Sequence, residues 1–135
     1  LPIATVGAMI LNPEIKLLMV RTFKWSNLWG IPGGEIQTGE TSVHALHREI
    51  MEETALEIHD VRFVLVQDCI LTEEFYKPAH FILLNYLAHT KSSHVTLNEE
   101  ADEYRWVTIE EAYNLPLNSA TRYLLDQLQE KSLLP

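Results

Sequence analysis

The strongest constraint on this chain is the stretch Gly34–Leu56, GEIQTGETSVHALHREIMEETAL, which turns, enters a helix and then crowds its carboxylates. A helix is expected to begin near Thr41 or Ser42, either of which can cap the first free amides. Val43, Leu46, Ile50 and Thr54 then fall on one face, suited to packing on a sheet. Residues three and four apart share a helix face, so Glu49, Glu52 and Glu53 are expected to project together beside it. Like charges at that spacing cost a helix about 0.2–0.5 kcal/mol per pair. The cluster also approaches the helix C-terminus, where the backbone dipole favours cations. A divalent cation reverses both penalties, because hard ions such as Mg²⁺ take carboxylate oxygens as ligands.

The rest of the chain supplies a scaffold for such a helix. With 135 residues, 47% of them hydrophobic, the chain is expected to form a single domain over 1–135 with a sizeable core. No apolar run approaches the roughly 18 residues that a membrane span needs. Leu1–Leu11 lacks the basic start and small-residue cleavage site of a signal peptide and reads as a strand. The net charge of −9 argues against broad attachment to nucleic acid or to an anionic membrane. It is compatible with phosphate substrates if metal ions carry the local positive charge. Cys69 is the only cysteine, so no intrachain disulfide forms, and its apolar surroundings suit a packed thiol rather than a nucleophile. A cytoplasmic, reducing compartment is the expectation.

In chain order, Ile3–Leu11 and Lys16–Thr22 read as a hairpin around Asn12-Pro13-Glu14. FKWSNLWGIPGGE reads as a loop running into a short strand, with Pro32-Gly33-Gly34 allowing close approach to a ligand. Val61–Leu71 and Ala79–Ala88 read as strands, the first with a bulge, separated by an exposed loop. Glu103–Val107 is a last strand, followed by a short helix with a Thr108/Glu111 capping box. Asn118–Leu128 is an amphipathic helix with Ala120, Tyr123, Leu124 and Leu128 turned inward.

The spacing of Gly34, Glu40, Arg48-Glu49-Ile50, Glu52-Glu53 and Ala55-Leu56 resembles the Nudix box of the Nudix hydrolases. Every motif position matches except the family's usual glycine, which is Ala55 here. The resemblance implies an α/β (α+β) fold, an α-β-α sandwich around a mixed central sheet. It implies Mg²⁺, with Mn²⁺ as a substitute, held mainly by Glu52 and Glu53. Glu49 is then either a further ligand or the base that activates water, and the carbonyl of Gly33 completes the shell. Arg48 would orient the carboxylates, since a guanidinium grips carboxylate bidentately. Glu40 resembles an accessory glutamate, although an anion at that place also suits the helix N-terminus. A further glutamate on the loop before the last strand matches Glu100, with Glu99 and Glu103 as rivals.

For the substrate, Arg21 is a candidate for phosphate, Trp25 or Trp29 for stacking on a base, and Gly34 for close approach. The implied reaction is hydrolysis of a nucleoside diphosphate linked to another group: a nucleoside triphosphate, or ADP-ribose or a nucleotide sugar. The competing reading is a non-catalytic Nudix-like module that senses a nucleotide, but a sensor is expected to lose a ligand and every glutamate is present. The expected partner is a small nucleotide rather than nucleic acid or membrane, with a homodimer as the assembly frequent in the family.

Overall fold

The computed structural model describes residues 1–135. Strands β1 (Ile3–Leu11) and β2 (Leu17–Thr22) flank a turn in which the Asn12 side chain accepts from the amides of Glu14 and Lys16. The expected hairpin exists only at its base, where Leu11 pairs with Leu17. Beyond that pair the strands diverge and find other partners.

One edge of β1 runs parallel to β6 (His80–Thr90) along its whole length, from Ile3 opposite Phe81 to Leu11 opposite His89. Its other edge takes β4 (Gly33–Glu35), while β2 holds β3 (Leu28–Gly30) on one side and β7 (Glu103–Val107) on the other. β3 and β4 therefore fill the wedge between the splayed strands. β5 (Ile58–Ile70) closes the far edge against β6, with register shifts at His59/Arg62 and Phe63/Leu65 that supply the expected bulge. The result is a mixed seven-stranded sheet.

Strict alternation along β1 and β2 splits the core in two. Val6, Ala8, Ile10, Leu18 and Val20 face α1 (Ser42–Thr54), whereas Met9, Leu11, Leu17 and Met19 face α3 (Ser119–Glu130). A short α2 (Ile109–Tyr113) carries the expected capping box, Thr108 and Glu111 each bonding the other's backbone amide. Thr41 caps α1 and Asn118 caps α3.

Two inward-facing expectations fail for the same reason. Val43 is 43% exposed and Tyr123 49% exposed. On α1 the rows that meet the sheet are Ala45-Glu49-Glu53 and Leu46-Ile50-Thr54, so Val43 falls outside them and a glutamate falls inside. On α3 the buried positions are Thr121, Leu124, Leu125 and Leu128. The expected loop after β2 contains a single 3-10 turn at Phe23–Trp25, capped by Thr22.

Candidate active site

The site begins with two missing side chains. A Cβ on Gly33 would collide with the backbone of Val6 and Gly7, and one on Gly34 would overlap the Glu49 carboxylate. Gly33 is thus required by close approach of β4 to the β1 backbone, whereas at Gly34 the atoms in the way are the end of the Glu49 side chain on α1.

Arg48 organises the carboxylates around it. Its Nε and Nη2 donate to Glu40 at 2.6 and 2.8 Å, Nη1 donates to Glu49 at 2.8 Å, and Nη2 also reaches the Glu35 carbonyl at 3.1 Å. Glu40 further accepts from the Gln37 amide at 2.8 Å. With the guanidinium hydrogen-bonded to it, the Glu40 carboxyl is drawn down to about 2. Glu40 is absent from the lining of the cavity described below. Its place is behind Arg48, orienting the guanidinium.

The three box glutamates do not project together. Glu52 points outward with its side chain 54% exposed and touches only Arg48, at 3.3 Å. Glu53 turns inward, is 8% exposed, and accepts a long 3.4 Å hydrogen bond from the Gly33 amide on one oxygen. Its other oxygen, Oε2, is buried with no partner. Burial pushes this carboxyl up to about 9, reinforced by the charges of Glu49 and Glu100; once protonated, Glu53 can donate to the Glu49 carboxylate, so its oxygen lacks a partner only in the ionised form. A buried acceptor without a donor costs about 1–3 kcal/mol.

No group of three His, Cys, Asp or Glu side chains is drawn tightly enough together to cage an ion. Glu49 and Glu53 nevertheless fit a hard divalent cation, because paired carboxylates and an orphaned buried oxygen are what such an ion satisfies. Gly33 sits beside them through its amide.

Gly33, Glu49 and Glu53 line one cavity of about 550 Å³, walled by residues of β1, β2, β4 and β6. Glu100 lines it too, its carboxylate held at 2.7 Å by Lys24 Nζ, also a lining residue. Of the rival acids, Glu103 is engaged by Arg105 and Arg21, and neither it nor the exposed Glu99 lines the cavity. Trp25, Phe75 and Phe81 form an aromatic wall, with Phe75 centred 4.8 Å from each of the other two rings.

Two expected substrate contacts are corrected. Arg21 stands outside the cavity, committed to Asp102 through hydrogen bonds of 3.0 and 3.1 Å. Trp29 is 3% exposed in the core beneath α3, and Trp25 is the indole on the cavity wall. The difference follows from register, since Trp29 pairs with Arg21 inside the sheet while Trp25 leaves it on the 3-10 turn. Gly34 lines the cavity. Lys24, Phe75 and Asn85 carry weak signals that sequence reasoning passed over. The clearest is Asn85, a lone amide in the apolar run FILLNYLA.

A family model described as NUDIX domain matches residues 1–128. The nucleoside triphosphatase NudI of Enterobacter sp. (strain 638) is 35% identical over 105 residues, 73% of this chain and 74% of that protein. An RNA pyrophosphohydrolase of Blochmanniella pennsylvanica is 37% identical over 59 residues, 44% of this chain and 37% of that protein. A crystal structure of a MutT NUDIX hydrolase from Burkholderia pseudomallei superposes with a TM-score of 0.80 at 25% identity, covering 95% of this chain and 98% of that one. Its box, its fold and these relatives place the chain in the NUDIX domain family, as a hydrolase of acid anhydrides in phosphorus-containing compounds.

Proposed function

We propose that the protein is a Mg²⁺-dependent pyrophosphohydrolase whose substrate is a nucleoside triphosphate. The observation that carries this reading is the orphaned Glu53 oxygen beside Glu49, in a cavity that also offers an aromatic wall. The nucleotide class is supported by the similarity to a nucleoside triphosphatase over most of both chains.

Glu49 and Glu53 would hold the ion, with the Gly33 backbone beside them, while Glu52 points outward against Arg48. When bound, Mg²⁺ supplies charge neutralisation of the polyphosphate and a lowered pKa for a coordinated water. Arg48 fixes Glu49 against rotation, and Glu40 fixes Arg48 in turn. Glu100 would take a proton from the attacking water, a reading supported by its position on the lining and by the charge it exerts on Glu53. Lys24 meets the phosphate chain with positive charge when it releases Glu100. Trp25 and Phe75 supply a surface on which a base can stack.

The test is a panel of nucleoside triphosphates, ADP-ribose and nucleotide sugars with Mg²⁺, reading phosphate and pyrophosphate release by wild type and Glu53→Gln. Turnover of triphosphates by wild type, largely lost in the variant, is expected. Equal turnover by both proteins would overturn the site, and nucleotide binding without turnover would establish the sensor reading instead.

A further inference from the structure

Antiparallel neighbours such as β5 and β6 can be joined by about two to five residues. Their connection, Leu71–Ala79, is longer, and it contributes Phe75, Tyr76, Lys77 and Ala79 to the cavity lining. Leu71 turns the chain off β5 in the left-handed region at φ 51°, and its amide closes the base of the loop on the Ala79 carbonyl at 2.8 Å. Beyond that base the loop has no sheet ladder, so its position depends on what other segments offer it.

Glu74 supplies most of that hold. One carboxylate oxygen accepts from the Ser119 amide at 2.9 Å and the other from the Ser119 hydroxyl at 2.7 Å, so both are engaged by the first residue of α3. That amide is one of those a helix leaves free at its start, where the dipole favours a carboxylate. The Glu74 carbonyl accepts from the hydroxyl of Ser26, which caps the turn carrying Trp25, at 2.7 Å. Two residues on, the Tyr76 amide donates to the Lys24 carbonyl at 2.8 Å. Phe75 stands between these anchors, its ring centred 4.8 Å from both Trp25 and Phe81. It belongs to neither buried core cluster, so the anchors secure the cavity wall rather than the core.

We infer that Glu74 is a positioning residue: by tying the loop to α3 it holds Phe75 in the cavity wall, and so sets the affinity for the nucleotide without touching it. This rests on the nucleotide reading of the site. A loop that occupies its binding arrangement only part of the time weakens the apparent affinity by that fraction. With hydrogen bonds to a charged group at stake, the expected loss is about 5–10-fold. Arg48, Glu49 and Glu53 lie on α1 and make none of these contacts, so turnover at saturation is expected to persist.

The experiment compares wild type, Glu74→Ala, Glu74→Gln, Ser119→Ala and the double variant Glu74→Ala/Ser119→Ala. KM and kcat are measured with Mg²⁺ for ATP, GTP, CTP and UTP, and exchange of the Tyr76 amide is followed by NMR in the nucleotide-free full chain. Glu74→Ala is expected to raise KM about 5–10-fold, to leave kcat within about twofold, and to speed Tyr76 exchange. Glu74→Gln keeps one acceptor and Ser119→Ala keeps the amide donor, so both are expected to fall between wild type and Glu74→Ala. The double variant is expected to be no worse than Glu74→Ala, because both changes remove one contact. A merely structural latch would lower the melting temperature and leave KM where it was. Unchanged KM or unchanged Tyr76 exchange in Glu74→Ala, or single effects that multiply in the double variant, would overturn the proposal. If wild type hydrolyses none of the four, the variants are compared by their calorimetric affinity for the same triphosphates. Binding without turnover, weakened in Glu74→Ala, would overturn the pyrophosphohydrolase reading and leave this one standing, and no binding of any triphosphate would overturn both.

Discussion

Glu40 and Glu53 flank the two ends of one helix, belong to one motif, and lie in opposite electrostatic settings. Glu40 receives two hydrogen bonds from Arg48 and one from a backbone amide, and it stays ionised to about pH 2. Glu53 is buried beside another carboxylate with one long hydrogen bond, and it holds its proton to about pH 9. Both share an ordinary value of 4.5. The difference separates an acid whose oxygens are satisfied within the protein from one that, when ionised, is left with a buried oxygen lacking a partner. Local satisfaction distinguishes the two roles where residue type does not.

The largest way to sharpen this contrast is Glu53→Gln, which is expected to lower kcat/KM by more than about 100-fold, since even outer partners of metal ligands cost about 10–100-fold. The same variant is expected to raise the melting temperature of the metal-free protein at pH 8, because it removes a carboxyl that resists ionisation there. Next comes Arg48→Lys. It is expected to lower kcat/KM by about 10–100-fold, because an ammonium cannot hold Glu40 and Glu49 in the planar fork that the guanidinium provides.

Titration separates the two acids directly. The folded-state value of Glu53 lies above its unfolded one, so its contribution to stability is complete below about pH 4.5 and is lost as pH rises through about 9. That of Glu40 lies below, so its contribution is complete above about pH 4.5 and is lost as pH falls through about 2. Thermal melts of metal-free protein across this range are expected to show both slopes. Glu53→Gln should remove the alkaline one and Glu40→Gln the acid one, and Mg²⁺ should counter the alkaline loss by binding the native state. A metal-free alkaline slope unchanged in Glu53→Gln would break the comparison.

The smallest effect belongs to Ala55, which ends α1 in the left-handed region at φ 62°. Ala55→Gly is expected to stabilise the protein by about 1 kcal/mol, raising the melting temperature by a few degrees without changing the affinity for Mg²⁺.

The box was legible because its information is local. Capping at Thr41 and the gathering of carboxylates around Arg48 depend on residues within a few turns of one another, although the bond from Arg48 to Glu40 was not itself foreseen. What the sequence hid was set by distant partners. The fate of Arg21 depends on Asp102, brought alongside only when β2 pairs with β7. Glu53 turned inward because the rows meeting the sheet run through Ala45 and Glu49 rather than Val43. Asn85 gains its direction from Gln67 and Ala120, which lie on two other segments of the chain.

The long parallel pairing of β1 with β6 has a consequence for how the molecule comes into being. Ile3 must wait for Phe81 before that ladder can start, and hairpin closure at Leu11 offers little to hold β1 meanwhile. High contact order of this kind slows folding. On the ribosome, a nascent chain that ends before His80 leaves β1 without that partner, so the glycines that must nest against it gain their complete support late in synthesis.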